Sequence, residues 1–295
     1  MRRLVVGAVA LALLAGAGVA AAAWEATPSP RLPPGRAVAI SPLLARAVVA
    51  TEDERFYRHH GIDLVGLLRA IPYDAVHASF AQGASTITEQ VAKLLYLHGN
   101  DHRPWRKLED MALAVKLENR YSKAQILDAY LERAPFGGAT GGVAAASRRY
   151  FGVGPARLTL AQASLLAGLP QAPSAYDPLR HPAAARARQA TVLRSLVRVG
   201  ALSAARAASV LARPLPLRGG TVLAPVRGVA LAPGPAFAWG ALAVGGILAL
   251  AGAFLLALRR FPHTNRILLS RGIVLACALL ILLGTAVALR SFRTA

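Results

Sequence analysis

Chemically reactive side chains are concentrated in the stretch Ala50-Thr51-Glu52-Asp53-Glu54-Arg55-Phe56-Tyr57-Arg58-His59-His60-Gly61. Its twelve positions hold acids, arginines, histidines and aromatic residues, in a chain that is 55% hydrophobic. A carboxylate beside basic and aromatic groups is a setting in which its pKa shifts and a nearby hydroxyl can react. Taken alone, the cluster also fits a solvated helix end with local ion pairs. The segments around it favour the reactive interpretation.

Composition and charge point to a membrane rather than to nucleic acid. Charged residues make up only 16% of the 295 residues, and the net charge is +20. All 14 acids lie between Glu25 and Asp177, whereas arginines continue to Arg293. Such a charge suits nucleic acid or an anionic membrane, and the long apolar stretches favour the membrane. No aromatic-basic recognition motif accompanies the charge, so we expect no nucleic-acid partner. The single Cys277 provides no disulfide framework and no zinc spacing.

The N-terminal apolar stretch is long enough to cross a bilayer. Residues 4–24 carry no charge and follow Arg2 and Arg3, which predicts an N-terminal transmembrane anchor over residues 1–24 with its start inside. The alanines at 20–23 also fit a signal-peptidase site, so cleavage stays an alternative.

Two further uncharged stretches predict a membrane hairpin near the C-terminus. Residues 236–258 and 272–289 are each long enough to span, and four arginines lie between them. The charge rule places that arginine loop in the cytoplasm and the central domain on the extracytoplasmic face. A buried hairpin in a soluble core is the alternative.

Between these segments the pattern is helical. Ser41-Pro42 is typical of a helix start, and we find no alternating strand pattern. We therefore predict an all-α domain over residues 41–212, between a Pro-rich linker at 25–40 and a second linker at 213–235. The predicted helices include Trp105–Glu118, Ser122–Arg133, Ala144–Tyr150, Leu158–Leu169 and Pro182–Val199.

The stretch Gln82–Gln90 predicts the opening of a further helix. Small and hydroxylated residues there would leave free N–H groups and a helix dipole that attract anions, with Lys93 one to two turns in. A plain helix cap without a ligand is the other interpretation of this stretch.

Together, these segments resemble the peptidoglycan glycosyltransferases of family 51, the lysozyme-like transglycosylase domains found alone or at the front of class A penicillin-binding proteins. The resemblance covers residues 41–199, with five motifs in the family's order. They are Glu52 to Gly61, Gly83 to Gln90 followed by Lys93, the pair Arg106-Lys107, Ile126 through Gly152, and Leu158 through Pro173.

The resemblance implies a lysozyme-like fold and an enzyme that polymerises lipid II into glycan strands. In this reaction the sugar 4-hydroxyl displaces a lipid pyrophosphate with inversion. It implies Glu52 as general base and Asp110 as the second catalytic acid, which a Mg²⁺ or another divalent cation could also use as a ligand. The substrate-binding residues that it implies are Asp53, Phe56, His59, Gly83, Ser85, Thr86, Gln90, Lys93, Arg106 and Lys107.

Taken with the three predicted membrane spans, the resemblance implies a multi-pass protein of the bacterial inner membrane. Its partners would be lipid II, the growing lipid-linked glycan, and a transpeptidase or other cell-wall synthesis proteins. No Ser-x-x-Lys occurs in the chain, so we expect no transpeptidase domain. The C-terminal membrane pair lies outside the family's pattern.

Three positions depart from the family's pattern. Asp110 stands where the family has a glutamate, Glu89 where glutamine is usual, and Glu132 where asparagine is usual. A carboxylate displaced by one bond can cost about 100-fold in rate. A catalytically weakened scaffold that binds lipid II, and a lysozyme-like hydrolase, are therefore the alternative functions.

Overall fold

The structure is a computed structural model. It describes residues 16–34, 38–66, 85–96, 106–138, 141–229 and 231. The chain divides into two compact units, residues 1–63 with 85–233 and residues 64–84 with 234–295. Only residues 64–66 of the second unit are described, and they are helical.

The first unit is mostly helical, as the sequence predicts. Short 3₁₀ turns lie at Phe56–Arg58, Pro155–Arg157 and Leu169–Gln171, and residues 16–26 are helical. The other helices are α1 Pro42–Glu52, α2 Ile87–Tyr96, α3 Arg106–Arg120, α4 Lys123–Arg133, α5 Gly142–Phe151, α6 Leu160–Gly168, α7 Pro182–Arg198 and α8 Ala204–Leu211.

Helices α1, α6 and α7 pack on one another and form one half of the core. Proline at the first turn of α1 needs no hydrogen-bonded N–H there, and Leu44, Ala47 and Val48 then fall on one buried face. Helix α6 is buried on nearly every side from Ala163 to Gly168. This packing fixes the C-terminal end of α1, where Glu52 lies.

Helices α2, α3 and α4 form the other half. Helix α4 starts at a capping box, in which Ser122 and Gln125 each satisfy the other's main-chain N–H. Gly61 approaches the α3 main chain so closely that a Cβ would lie 2.7 Å from the Ala114 carbonyl carbon. The motif that follows α1 is therefore pressed directly onto α3.

A short hairpin lies inside the segment interpreted as a linker at 213–235. Strands β1 Leu215–Pro216 and β2 Val222–Leu223 pair antiparallel, and Leu215, Leu217 and Leu223 are buried in the core cluster. Two-residue strands carry no periodicity, so the sequence pattern gave no indication of them.

The segment Trp24–Leu32, which we call the strap, is bonded to the ends of α2 and α3. Lys116 donates to the carbonyl oxygens of Trp24 and Thr27, both at 2.6 Å, and lies 4.7 Å from the centroid of the Trp24 ring. The Tyr121 hydroxyl accepts from Leu32 N at 3.0 Å. This part of the predicted Pro-rich linker is thus fixed to the domain.

Among the described residues, no helix combines the length and the apolar character that crossing a bilayer requires. The predicted hairpin at 236–289 and residues 1–15 of the predicted anchor lie outside the described residues.

Candidate active site

Glu52 ends α1 with its two carboxylate oxygens in different surroundings. Gln90 Nε2 of α2 donates to Oε2 at 3.0 Å, and Gln90 Oε1 accepts from the Tyr130 hydroxyl at 3.2 Å. Oε1 is buried and has no hydrogen-bond partner within the part of the chain described. Its nearest charge is Arg188 Nη2 of α7, at 3.6 Å.

Burial raises the pKa of the Glu52 carboxyl above its ordinary value. The hydrogen bond from Gln90 and the charge of Arg188 act in the opposite direction, and the neighbouring Asp53 adds to the rise. Burial also raises the pKa of Tyr130 well above that of a free phenol, and the negative charge of Glu52 contributes. Tyr130 therefore stays a neutral donor to Gln90.

Asp53 connects the motif to the start of α2. Its carboxylate lies 3.0 and 3.1 Å from His59 Nε2 and accepts from Ile87 N at 3.0 Å. The Thr86 hydroxyl accepts from Glu89 N at 3.1 Å and donates to Gly61 O at 2.7 Å. These bonds satisfy N–H groups that the first turn of a helix leaves free.

The far side of His59 meets a second acid. Glu118 Oε1 lies 3.9 Å from His59 Nδ1 and accepts from the Thr88 hydroxyl and from Lys123 Nζ at 2.6 and 2.7 Å. The ammonium group of Lys123 also lies 4.4 Å from the centroid of the buried Phe56 ring. The motif after Glu52 is therefore held by a network that includes α2, α3 and α4.

Three basic side chains lie near the first turn of α3. Lys107 Nζ pairs with Glu89 and donates to Ser85 Oγ at 3.1 Å. Arg106 Nε lies 3.5 Å from Asp110 Oδ1, and the exposed Lys93 lies close enough to influence Asp110 electrostatically.

Burial raises the pKa of both acids in this group. For Asp110 the charges of Lys93, Arg106 and Lys107 act against that rise. For Glu89 the main opposing influence is Lys107, while Asp110 adds to the rise. Three cations therefore act on the buried carboxyl of Asp110. This surplus of positive charge suits the binding of a negatively charged ligand.

One turn of α2 contacts both Glu52 and the cations at the start of α3. Gln90 binds Glu52 and its neighbour Glu89 binds Lys107, so the predicted base and the predicted cations meet at the same helix. The predicted Gly83 lies outside the described residues.

Four of the predicted substrate-binding residues are buried. Asp53, Phe56, His59 and Thr86 are each at most 7% exposed. Their side chains contact other residues of the site. Their direct contact with substrate stays a prediction.

Sequence reasoning missed two residues that contact the site. Arg188 lies on a helix predicted only as amphipathic, and Tyr130 was predicted as an apolar position of its helix and as part of the fourth motif, with no role in the site. No local signal marks Arg188, because its partner Glu52 lies 136 positions earlier in the chain.

A metal ion at Asp110 is one of the expectations from the sequence. Among the residues that the structure describes, no group of three or more His, Cys, Asp or Glu side chains is placed to hold a metal ion. The charges that act on Asp110 are mainly cations. A divalent cation at Asp110 stays a prediction.

Comparison with known proteins gives a consistent result. The family described as Transglycosylase matches residues 31–197. A protein of Cupriavidus necator named as a transglycosylase is 43% identical over 175 residues, which cover 59% of this chain and 75% of that protein.

Longer relatives also match this chain. Penicillin-binding protein 1A of Neisseria gonorrhoeae is 44% identical over 155 residues, 52% of this chain and 19% of that protein. Penicillin-binding protein 2D of Bacillus subtilis is 39% identical over 177 residues, 60% of this chain and 25% of that protein. The crystal structure of penicillin-binding protein 1A from Haemophilus influenzae aligns with a TM-score of 0.38 and 21% identity, over 66% of this chain and 19% of that one.

The family assignment rests on the sequence matches, which cover more than half of the chain and three quarters of one relative. The chain therefore belongs to the transglycosylase family, as the order of its motifs predicted.

Proposed function

We propose that this protein is a peptidoglycan glycosyltransferase that polymerises lipid II at the extracytoplasmic face of the bacterial inner membrane. The observation that carries the proposal is the state of Glu52. One carboxylate oxygen is fixed by Gln90, the other has no hydrogen-bond partner in the described chain, and the same turn of α2 contacts Lys107.

The reaction needs a base on one side of the sugar and positive charge on the other. Glu52 Oε1 takes the proton of the acceptor 4-hydroxyl as that oxygen bonds to the anomeric carbon. The bond from the anomeric carbon to the pyrophosphate oxygen breaks with inversion, and its electron pair leaves on the lipid diphosphate. Arg106, Lys107 and Lys93 stabilise the charge that develops there.

Two of the departures from the family's pattern fit this picture. Glu89 pairs with Lys107 and so offsets part of the positive charge on the leaving-group side. Asp110 is buried beside Arg106, so the shorter acid still orders that arginine. The Glu89–Lys107 pair predicts a slower enzyme, and the retained Asp110–Arg106 pair predicts that the reaction itself is unchanged.

The first prediction concerns the base. Glu52→Gln keeps the size and a polar contact to Gln90 but removes the proton acceptor, so we expect polymer formation from labelled lipid II to fall at least about 100-fold. Binding of lipid II should be retained, because the cations are unchanged.

Glu54→Gln is the matched control. Glu54 pairs with Arg198 at 3.1 Å, nearer the surface, and this variant should polymerise normally. Full activity of Glu52→Gln would contradict the role of Glu52. Wild-type protein that makes soluble fragments would indicate a hydrolase, and wild-type protein that only binds lipid II would indicate a scaffold.

A further inference from the structure

Arg188 is held from several sides with one nitrogen directed at Glu52. Its Nε donates to Gly168 O at 3.2 Å, and its guanidinium carbon lies 5.9 Å from the centroid of the Tyr176 ring. A Cβ on Gly168 would lie 2.8 Å from Arg188 Cγ. The absence of a side chain at Gly168 therefore gives the arginine its place.

The distance from Arg188 Nη2 to Glu52 Oε1 is short enough for an ion pair but too long for a hydrogen bond. Arg188 Nη2 lies 3.6 Å from Oε1, with 13% and 10% of the two side chains exposed. Hydrogen bonds of this type span about 2.7–3.2 Å. The cation therefore acts on the carboxylate electrostatically and leaves the lone pairs of Oε1 available to an incoming hydroxyl.

Arg188 supplies the positive charge that opposes the effect of burial on Glu52. From its own turn Asp53 adds negative charge, α2 presents the uncharged Gln90, and α4 presents the phenol of Tyr130. Helix α6 contains no ionisable residue. Arg188 of α7 is the one cation that acts on Glu52 among the residues described.

We propose that Arg188 is a positioning residue for the general base, which keeps the Glu52 carboxylate ionised and its Oε1 free for the acceptor hydroxyl. This inference rests on the proposed function of Glu52. In this interpretation, Gly168 and Tyr176 act indirectly on the base, because their contacts fix the position of Arg188.

The sign of the pH effect follows from the charges. A cation favours the carboxylate, so removing Arg188 moves the pKa of Glu52 further upward. The base acts in its ionised form, so the acid side of the pH–rate profile should move to higher pH. We expect Arg188→Met to lose about tenfold more rate at the acid end of the profile than at its plateau.

The experiment measures pH–rate profiles of lipid II polymerisation for the full chain in detergent. Arg188→Lys restores the charge and should recover much of the acid-side loss. Arg198→Met is the control, because Arg198 is on the same helix but pairs with Glu54, and its acid side should match wild type. If Arg188→Met fails to fold, Gly168→Ala, which displaces the guanidinium, should move the profile in the same direction.

A second readout does not depend on activity. The ¹³C resonance of the Glu52 carboxyl, identified by its loss in Glu52→Gln, should titrate at higher pH in Arg188→Met than in wild type. Identical titrations and identical acid sides would overturn the inference. Wild-type protein that makes no polymer would contradict the proposed function, while the titration would still decide the effect of Arg188.

Discussion

Asp53 satisfies two partners with one buried carboxylate. It accepts from His59 Nε2 and from the first N–H of α2, and it is 7% exposed. The residue that follows Glu52 is thereby bonded to the start of α2. An acid adjacent to the base thus serves to hold the position of the base.

Asp53→Ala should lower the free energy of unfolding by about 3 kcal/mol, because it leaves a buried imidazole and a helix N–H without their partner. Denaturant unfolding followed by circular dichroism measures this loss. Asp63→Ala removes the carboxylate of a more exposed pair with Arg55 and should cost less than about 1 kcal/mol. Equal losses in the two variants would contradict the structural role of Asp53.

At the residue scale, the sequence predicted which side chains gather but not what each one contacts. Gln90 contacts Glu52, and its neighbour Glu89 contacts Lys107. The pairing of Glu89 with Lys107 and the approach of Arg188 to Glu52 depend on contacts between distant segments. Spacing along the chain does not reveal contacts of that kind.

At the scale of elements, α7 is attached to the segment that follows it through a buried arginine. Arg186 is 2% exposed and has no acidic partner among the described residues. It donates instead to the carbonyl oxygens of Ala224, Leu211, Val210 and Arg213. Burial lowers the pKa of this guanidinium, yet the carbonyls at the end of α8 and the one after β2 keep it hydrogen-bonded.

Arg186→Met should lower the free energy of unfolding by about 2–3 kcal/mol, because several buried carbonyl oxygens lose their donor. Thermal unfolding of the purified protein checks the loss. The control is Arg194→Met on the same helix, where the exposed arginine donates only to the Thr191 hydroxyl at 2.9 Å. An Arg186→Met protein as stable as this control would show that the carbonyls find other partners.

Helix boundaries were predictable where the caps are local. Ser41-Pro42, Ser122 and Pro182 mark the starts that the structure has. Helix α2 begins at Ile87, later than the predicted opening at Gln82, and the Ile87 N–H is bonded by Asp53, which lies 34 positions earlier. The Thr86 hydroxyl is a local cap for Glu89 N, whereas the cap that Asp53 supplies to Ile87 N comes from a distant segment and leaves no local signal.

At the scale of the whole molecule, the strap connects the helical residues 16–26 to the domain. Lys116 and Tyr121 bind its main chain, and the Tyr96 hydroxyl bonds to the main chain of Arg31. The prolines of this segment predicted stiffness, and these side-chain bonds add attachment, which composition alone does not indicate.

Lys116→Met should loosen the strap, since two charge-assisted hydrogen bonds are lost. We expect amide hydrogen exchange of the strap to become about tenfold faster or more, measured by mass spectrometry on the full chain. Arg148→Met, which removes an exposed arginine from α5, is the control and should leave that exchange unchanged. Protection of the strap that survives in Lys116→Met would mean that Tyr96 and Tyr121 suffice.

The bonded strap has a consequence for an enzyme whose substrate is a lipid. If the N-terminal helix serves as the predicted membrane anchor, the bonds between Lys116 of α3 and the strap main chain fix the distance between the candidate active site and the lipid headgroups. A flexible linker would leave that distance variable. Each incoming lipid-linked sugar would then meet the base at one fixed height.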